Sequence, residues 1–260
     1  MRRIAAIVRR IPLQVVSLAA FAVIWQLVGA ARVSPALPTL DAVAVALVEM
    51  LGESRFLEAL GSTALAVVIA FPPTVVLGIV IGVLMGASRW VEWAVNPFVN
   101  LGLSLPLVAA IPVILFVFGL GRASIVAVIV IYALPSMIVN TFAGVRSVDP
   151  DLQAMARSFG AGRWLTVRRI VMPAAAGLVL VGVRIAAGRS IKAVIIAEQV
   201  VGLVGLGGLI QRLGGAFAVE QLYAVIAFIG IVGMATLTVL GRLEKLTRYR
   251  TKSAAPEPAG

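Results

Sequence analysis

DPDLQAMARSFGAGRWLTVRRIVMP, residues 149–173, is a polar, basic stretch of helical character set inside a strongly apolar chain. Asp149 followed by Pro150 marks a helix start. A carboxylate faces the free N–H groups, and the proline occupies the first helical position, where its missing N–H costs nothing. Leu152, Met155, Ala156 and Phe159 recur at i, i+3, i+4 and i+7, which places them on one apolar face. Gly160 and Gly162 then end the helix, glycine supplying the left-handed residue of a C-terminal cap. A second short helix-like run, 163–169, carries three arginines, and Pro173 is expected to close the segment before apolar sequence resumes.

Around this stretch the 260 residues are 61% hydrophobic and 13% charged. A soluble domain is about half apolar and about a quarter charged, so the bilayer is the expected solvent. The chain has no cysteine and no histidine. That removes disulfides, thiol chemistry, an imidazole base and zinc sites built from those ligands. The net charge of +11 suggests nucleic acid in a soluble protein, but in a membrane protein it must first be set against topology.

Apolar runs, all but the fifth uncharged, predict an all-α polytopic membrane protein with six transmembrane helices. The expected spans are 11–31, 59–88, 97–118, 123–145, 174–198 and 221–241. The first, 21 residues or about 31 Å as a helix, is long enough to cross and is expected to be retained rather than cleaved as a signal peptide. Residues 32–58 form a polar, partly helical connection. Pro72-Pro73 interrupt the second span, Pro106 and Pro112 the third, and Pro135 lies in the fourth. Arg89 and Glu92 mark a short loop. Gly78, Gly82 and Gly86 repeat every four residues, giving a flat face for close helix packing. The domain plan is an N-terminal cytoplasmic segment 1–10, a transmembrane unit 11–241 and a basic tail 242–260, partly disordered.

Six spans place both termini on one side. The presumed inner segments hold Arg2, Arg3, Arg9, Arg10, Arg89, Arg146, Arg157, Arg163, Arg168, Arg169, Arg242, Lys245, Arg248, Arg250 and Lys252, fifteen of the 22 basic residues. The presumed outer segments hold only Arg32, Arg55, Arg122 and Arg212. The positive-inside rule then makes the termini and the basic insert cytoplasmic, and no nucleic acid is needed to explain the charge. The insert itself suits either of two roles: resting on anionic lipid, or docking into a cytoplasmic partner through Leu152, Met155 and Phe159.

The fifth span carries Arg184, Arg189, Lys192 and Glu198, costly in lipid and expected to face protein or a water-filled path. At 100° per residue, Arg189 lies about 140° and Lys192 about 80° from Arg184, with Glu198 about 40° the other way. All four fit on one half of the helix, as part of an anion route or as structural pairs with one another, headgroups or helix-end carbonyls. GLVGLGGLIQRLGG, residues 202–215, lacks the Gly-Lys-Ser/Thr ending of a phosphate loop and follows no strand, so a re-entrant or gating segment is expected instead. Trp25, Trp90, Trp93 and Tyr223 sit near span ends as interface anchors. Of the 11 acids, the six on or near the outer side, Asp41, Glu49, Glu53, Glu58, Glu198 and Glu220, form no paired-carboxylate motif, so catalysis and metal binding are not expected.

Residues 105–208 resemble the permease subunit of bacterial ATP-binding-cassette importers, in the branch that handles sulfonates, taurine and nitrate. The family's cytoplasmic signature is Glu-Ala-Ala, three residues, Gly, nine residues, Ile, any residue, Leu-Pro. Here Gly160 is followed by nine residues and then Ile170-Val171-Met172-Pro173, with Met for Leu. The three upstream positions fall on Ala154, Met155 and Ala156, of which only the last matches. LPLVAAIPVILFVFGLG (105–121), NTFAGVRSVDP (140–150) and Ala197-Glu198 followed by Gly205-Leu206-Gly207 resemble the same branch.

The resemblance implies that 149–173 is a coupling-helix loop seated in a cleft of an ATPase subunit. The other implied partners are a second ATPase, a second permease copy, membrane lipid and an extracytoplasmic solute-binding protein. ATP and magnesium would be bound by the partner ATPase, and this chain would hold no cofactor and be no enzyme. The proline-broken second and third spans are expected to supply the bends. An ion-coupled secondary transporter is the rival class; it uses intramembrane acids and usually shows a repeated half.

Overall fold

The computed structural model describes residues 13–201 and 204–252, with side chains as far as Glu244. The N-terminal segment 1–10 and the tail end 253–260 lie outside the described residues. Every regular element among the described residues is helical. In chain order they are α1 (Leu13–Ala30), α2 (Leu40–Met50), α3 (Ser54–Ala87), α4 (Arg89–Ser104), α5 (Leu107–Phe118), α6 (Arg122–Arg146), α7 (Pro150–Ser158), α8 (Arg163–Thr166), a π-turn (Val167–Val171), α9 (Met172–Val201), α10 (Gly205–Gly215) and α11 (Val219–Lys252).

Among the described residues, four helices are long and apolar enough to cross a bilayer: α3, α6, the continuous Arg163–Val201 segment, and α11. The α4–α5 pair makes a fifth if it counts as one span. The 18 described residues of helix α1 reach about 27 Å, against the roughly 30 Å of hydrocarbon. Each of the six apolar runs is therefore helical, but not each is a straight rod.

Small residues set how the helices meet. A Cβ on Gly78 would overlap Met137, one on Gly82 would fall 2.6 Å from Thr141 Cβ, and one on Gly86 would overlap Val145. Both series rise together, so α3 and α6 run parallel at backbone-to-backbone range. Gly144 meets Ala175 while Gly182 meets Asn140, so α9 runs antiparallel to α6. Gly188 faces Leu237 and Gly241 faces Arg184, which sets α11 antiparallel to α9. One end of the bundle therefore holds the starts of α3, α6 and α11, the finish of α9, and α10. The other holds the finish of α3 and α6, the start of α4, and the basic insert. Ala66, Ala70, Ile111, Ile125, Ile129, Val194 and Ala197 fill the core between α3, α5, α6 and α9.

The third span breaks at Pro106, as expected, into α4 and α5 bent by 111°, but α5 runs through Pro112; three further expectations are corrected. Pro106 drives Leu105 into extended backbone (φ −67°, ψ 124°), the steric effect a proline has on the residue before it. Arg89 and Glu92 belong to the first turn of α4 rather than to a loop. The second span does not break at Pro72-Pro73: α3 runs through both for 34 residues. Pro173 does not close the basic segment either. Helix continues from Arg163 to Val201, because the π-turn bonds Met172 N–H to Val167 O and so shifts the ladder register just ahead of the residue that has no N–H to give.

Candidate functional site

The basic insert projects from its end of the bundle as a short helix, a sharp turn and a second helix. Asp149 Oδ1 accepts from Asp151 N–H at 2.9 Å, capping α7 one residue before Pro150. At the far end Gly160 has φ +78°. Ala161 N–H bonds to Ala156 O at 3.0 Å and Gly160 N–H to Arg157 O at 3.0 Å, the paired bonds of a Schellman cap. Gly162 O then accepts from Thr166 N–H at 3.0 Å and opens α8. Ala156 is buried, whereas Leu152 and Met155 are exposed, and Phe159 at the tip is 85% exposed. Trp164, 75% exposed, adds a second aromatic that sequence reasoning passed over. Ile170 is half-buried and Pro173 exposed.

The four charged residues of the fifth span are split by the structure. Arg184, Arg189 and Lys192 line one cavity of about 980 Å³ between α9 and α11, whose other walls include Gly230, Gly233 and Thr238. Arg184 pairs with Glu244 at 3.5 Å. Arg189 lies over the Tyr132 ring at 5.2 Å and donates to Tyr132 O at 3.4 Å; Lys192 is exposed. None of the three pairs with Glu198, since the ion pairs among the described residues are Arg146–Glu92 and Arg184–Glu244.

Glu198 is fully buried at the opposite end of α9 from the insert. Thr63 Oγ1 donates to its carboxylate at 2.8 and 2.9 Å, and Gly207 N–H donates at 3.0 Å. Thr63 Oγ1 also accepts from Leu206 N–H at 2.8 Å. The carboxylate and the hydroxyl thus take up two of the free N–H groups at the start of α10. Gly205, at φ +73°, has no room for a Cβ beside the carboxylate, and a Cβ on Gly207 would fall 2.6 Å from Glu198 Cβ and 2.8 Å from Gln199 N. Of the glycines in the described part of 202–215, Gly205 and Gly207 serve close approach to this acid, whereas a Cβ on Gly214 or Gly215 would meet nothing. Thr63 was missed from sequence because nothing local marks a partner 135 residues away.

Comparisons with known proteins agree with this architecture. The chain is 31% identical over 158 residues to the riboflavin transport system permease protein RibX of Chloroflexus aurantiacus, covering 61% of this chain and 59% of that protein, less than two thirds of its length. It is 28% identical over 231 residues to the taurine transport system permease protein TauC of Escherichia coli, covering 86% and 84%. To the nitrate import permease protein NrtB of Synechocystis it is 28% identical over 180 residues, covering 69% and 66%. Among solved structures, a membrane chain of the inward-facing MetNI methionine ABC transporter superposes with TM-score 0.63 at 19% identity, covering 74% of this chain and 96% of that one. Residues 74–247 match the family described as binding-protein-dependent transport system inner membrane component. This chain belongs to that family, the non-enzymatic permease subunits of ATP-binding-cassette transporters, whose ATPase is a separate subunit.

Proposed function

We propose that this chain forms, as a homodimer, the solute pathway of an ATP-driven importer for a small anionic solute such as a sulfonate, taurine or nitrate. An extracytoplasmic binding protein delivers the solute, and two ATPase subunits, holding ATP and magnesium, supply the work. Both termini lie in the cytoplasm. Among the described residues, Arg89, Arg146, Arg157, Arg163, Arg168, Arg169 and Arg242 gather at the end bearing the insert, against Arg32, Arg55, Arg122 and Arg212 at the other, an imbalance that supports this orientation. The taurine and nitrate relatives and the cationic cavity between α9 and α11 support an anion.

The observation that carries the reading is the exposed apolar tip of a rigidly capped cytoplasmic helix. Phe159 buries little against its own chain, and Met155 and Leu152 remain about half exposed, so they suit a groove on a partner. The tip transmits a push because it is tied: Asp149 caps one end, and the far end runs without interruption into α9. Closure of the ATPases then shifts α9 and whatever α9 holds, an alternating-access switch between two packings.

Gly160→Pro tests this. Proline fixes φ near −65°, against +78° here, so the cap fails while the spans are untouched. The variant is expected to insert normally but lose the ATPase on co-purification. An intact complex with ATP-driven uptake would count against the coupling role.

A further inference from the structure

We infer that the end of the bundle opposite the insert carries a receiving site for a small oxyanion, built from Arg55, Arg122 and Arg212. Arginines are scarce on that side, as the positive-inside rule requires, and three of its four line two adjoining cavities. One, of about 590 Å³, is bounded by Arg55, Glu58 and Arg212. The other, of about 230 Å³, is bounded by Arg122 and Glu198. Ser62 and Val204 line both, so the two cavities adjoin across these residues, and we treat them as one vestibule.

The charge balance of this vestibule favours an anion. None of the three guanidinium groups forms an ion pair or a side-chain hydrogen bond with a described residue, and all three residues are exposed. Of the two carboxylates, Glu198 is buried and already accepts from Thr63 and Gly207; Glu58 alone is exposed to offset three cations. Planar guanidiniums match the oxygens of sulfonate, nitrate or carboxylate two at a time. The Ser62 hydroxyl offers a further donor. Because α10 supplies Arg212 and is hydrogen-bonded to Glu198 on α9, movement of α9 alters the spacing of the three arginines. The site rests on the proposed orientation and deepens it, placing the first anion contact ahead of the Arg184–Lys192 cavity.

The assembled transporter in phosphatidylcholine nanodiscs is treated with phenylglyoxal, with nitrate, ethanesulfonate or chloride added at constant ionic strength. Arginine adducts are read peptide by peptide. Nitrate and ethanesulfonate are expected to protect Arg55, Arg122 and Arg212 with a common midpoint and leave Arg32 labelled. Arg212→Gln is expected to raise that midpoint about ten-fold for the other two, as loss of a charge-assisted contact does. No protection, or equal protection of Arg32, overturns the site. If nanodiscs containing phosphatidylglycerol already protect the three and added anion changes nothing, the site belongs to lipid headgroups and the proposal falls. Orientation is read separately in membrane vesicles, since the chain has no cysteine: Ala36→Cys should react with an impermeant maleimide from outside and Ser158→Cys from inside. Reversal of that pattern overturns the topology and with it the outward placement of the site.

Discussion

The two ends of this bundle handle their exposed and charged groups in opposite ways. At the insert, the apolar side chains Phe159 and Trp164 stand out from the chain, and α7 is fixed mainly by its own caps. At the other end a carboxylate is sunk out of solvent and bonded to a second helix and to the start of a third. An unsatisfied buried polar group costs free energy, whereas an exposed apolar one waits for a partner. On the proposed reading, one end is completed by another protein, and the other holds its own helices in register.

The largest test of that contrast is Phe159→Asp. A central aromatic anchor contributes about 2–4 kcal/mol to an interface, so association with the ATPase is expected to weaken on the order of a hundred-fold, measured by titrating ATPase onto permease in nanodiscs. Thermal stability of the isolated permease should not change, because Phe159 is 85% exposed. A large loss of stability would show that the tip packs on its own chain after all.

Next in size is Glu198→Ala, with the opposite signature. Removing the acceptor strands the Thr63 hydroxyl and the Gly207 N–H, at about 1–3 kcal/mol each. The permease should lose roughly 2–4 kcal/mol of stability in detergent while ATPase association is unchanged. Glu198→Gln keeps an acceptor oxygen and should recover more than half of the loss. If Glu198→Ala released the ATPase with stability intact, the division between the ends would be wrong.

Local sequence revealed the insert and hid the buried acid's role, for a physical reason. Capping, helical periodicity and the Gly160 stop are interactions within about a dozen residues, so Asp149, Pro150, Phe159 and Gly160 could be read directly. The Gly78, Gly82, Gly86 repeat was also visible, since four-residue spacing is itself a surface. Glu198 stood out as a charge in a span, but its partner Thr63 lies on another helix, and helix rotation alone allowed a pairing with Arg184 or Lys192 that the fold does not make. Prolines were legible in one place and misleading in another. Pro106 bends the chain by 111° because Leu105 turns extended, whereas Pro72 and Pro73 are carried inside a helix held along its length by the small-residue stripe Ala66, Ala70, Thr74 and Gly78. Tertiary packing decides which proline breaks a helix.

The smallest expected effect lies back at the insert end, at the ion pair of Arg146 with Glu92. It ties the first turn of α4 to the last turn of α6, and Arg146 also stacks over Phe142 at 5.5 Å. Its side chains are 50% and 23% exposed, so solvent screens the attraction and about 0.5 kcal/mol is a fair ceiling. Glu92→Gln should shift the melting temperature of the permease by little more than one degree at low salt and by nothing measurable at high salt, where the pair is already screened. The contrast with Glu198 is the point of the measurement. The same chemical deletion, one carboxylate oxygen replaced by an amide, is harmless where water can replace the lost partner. Where it cannot, the cost depends on whether an acceptor remains for the buried donors. A salt-independent loss of several degrees at Glu92 would mean that this end, too, is held together from within.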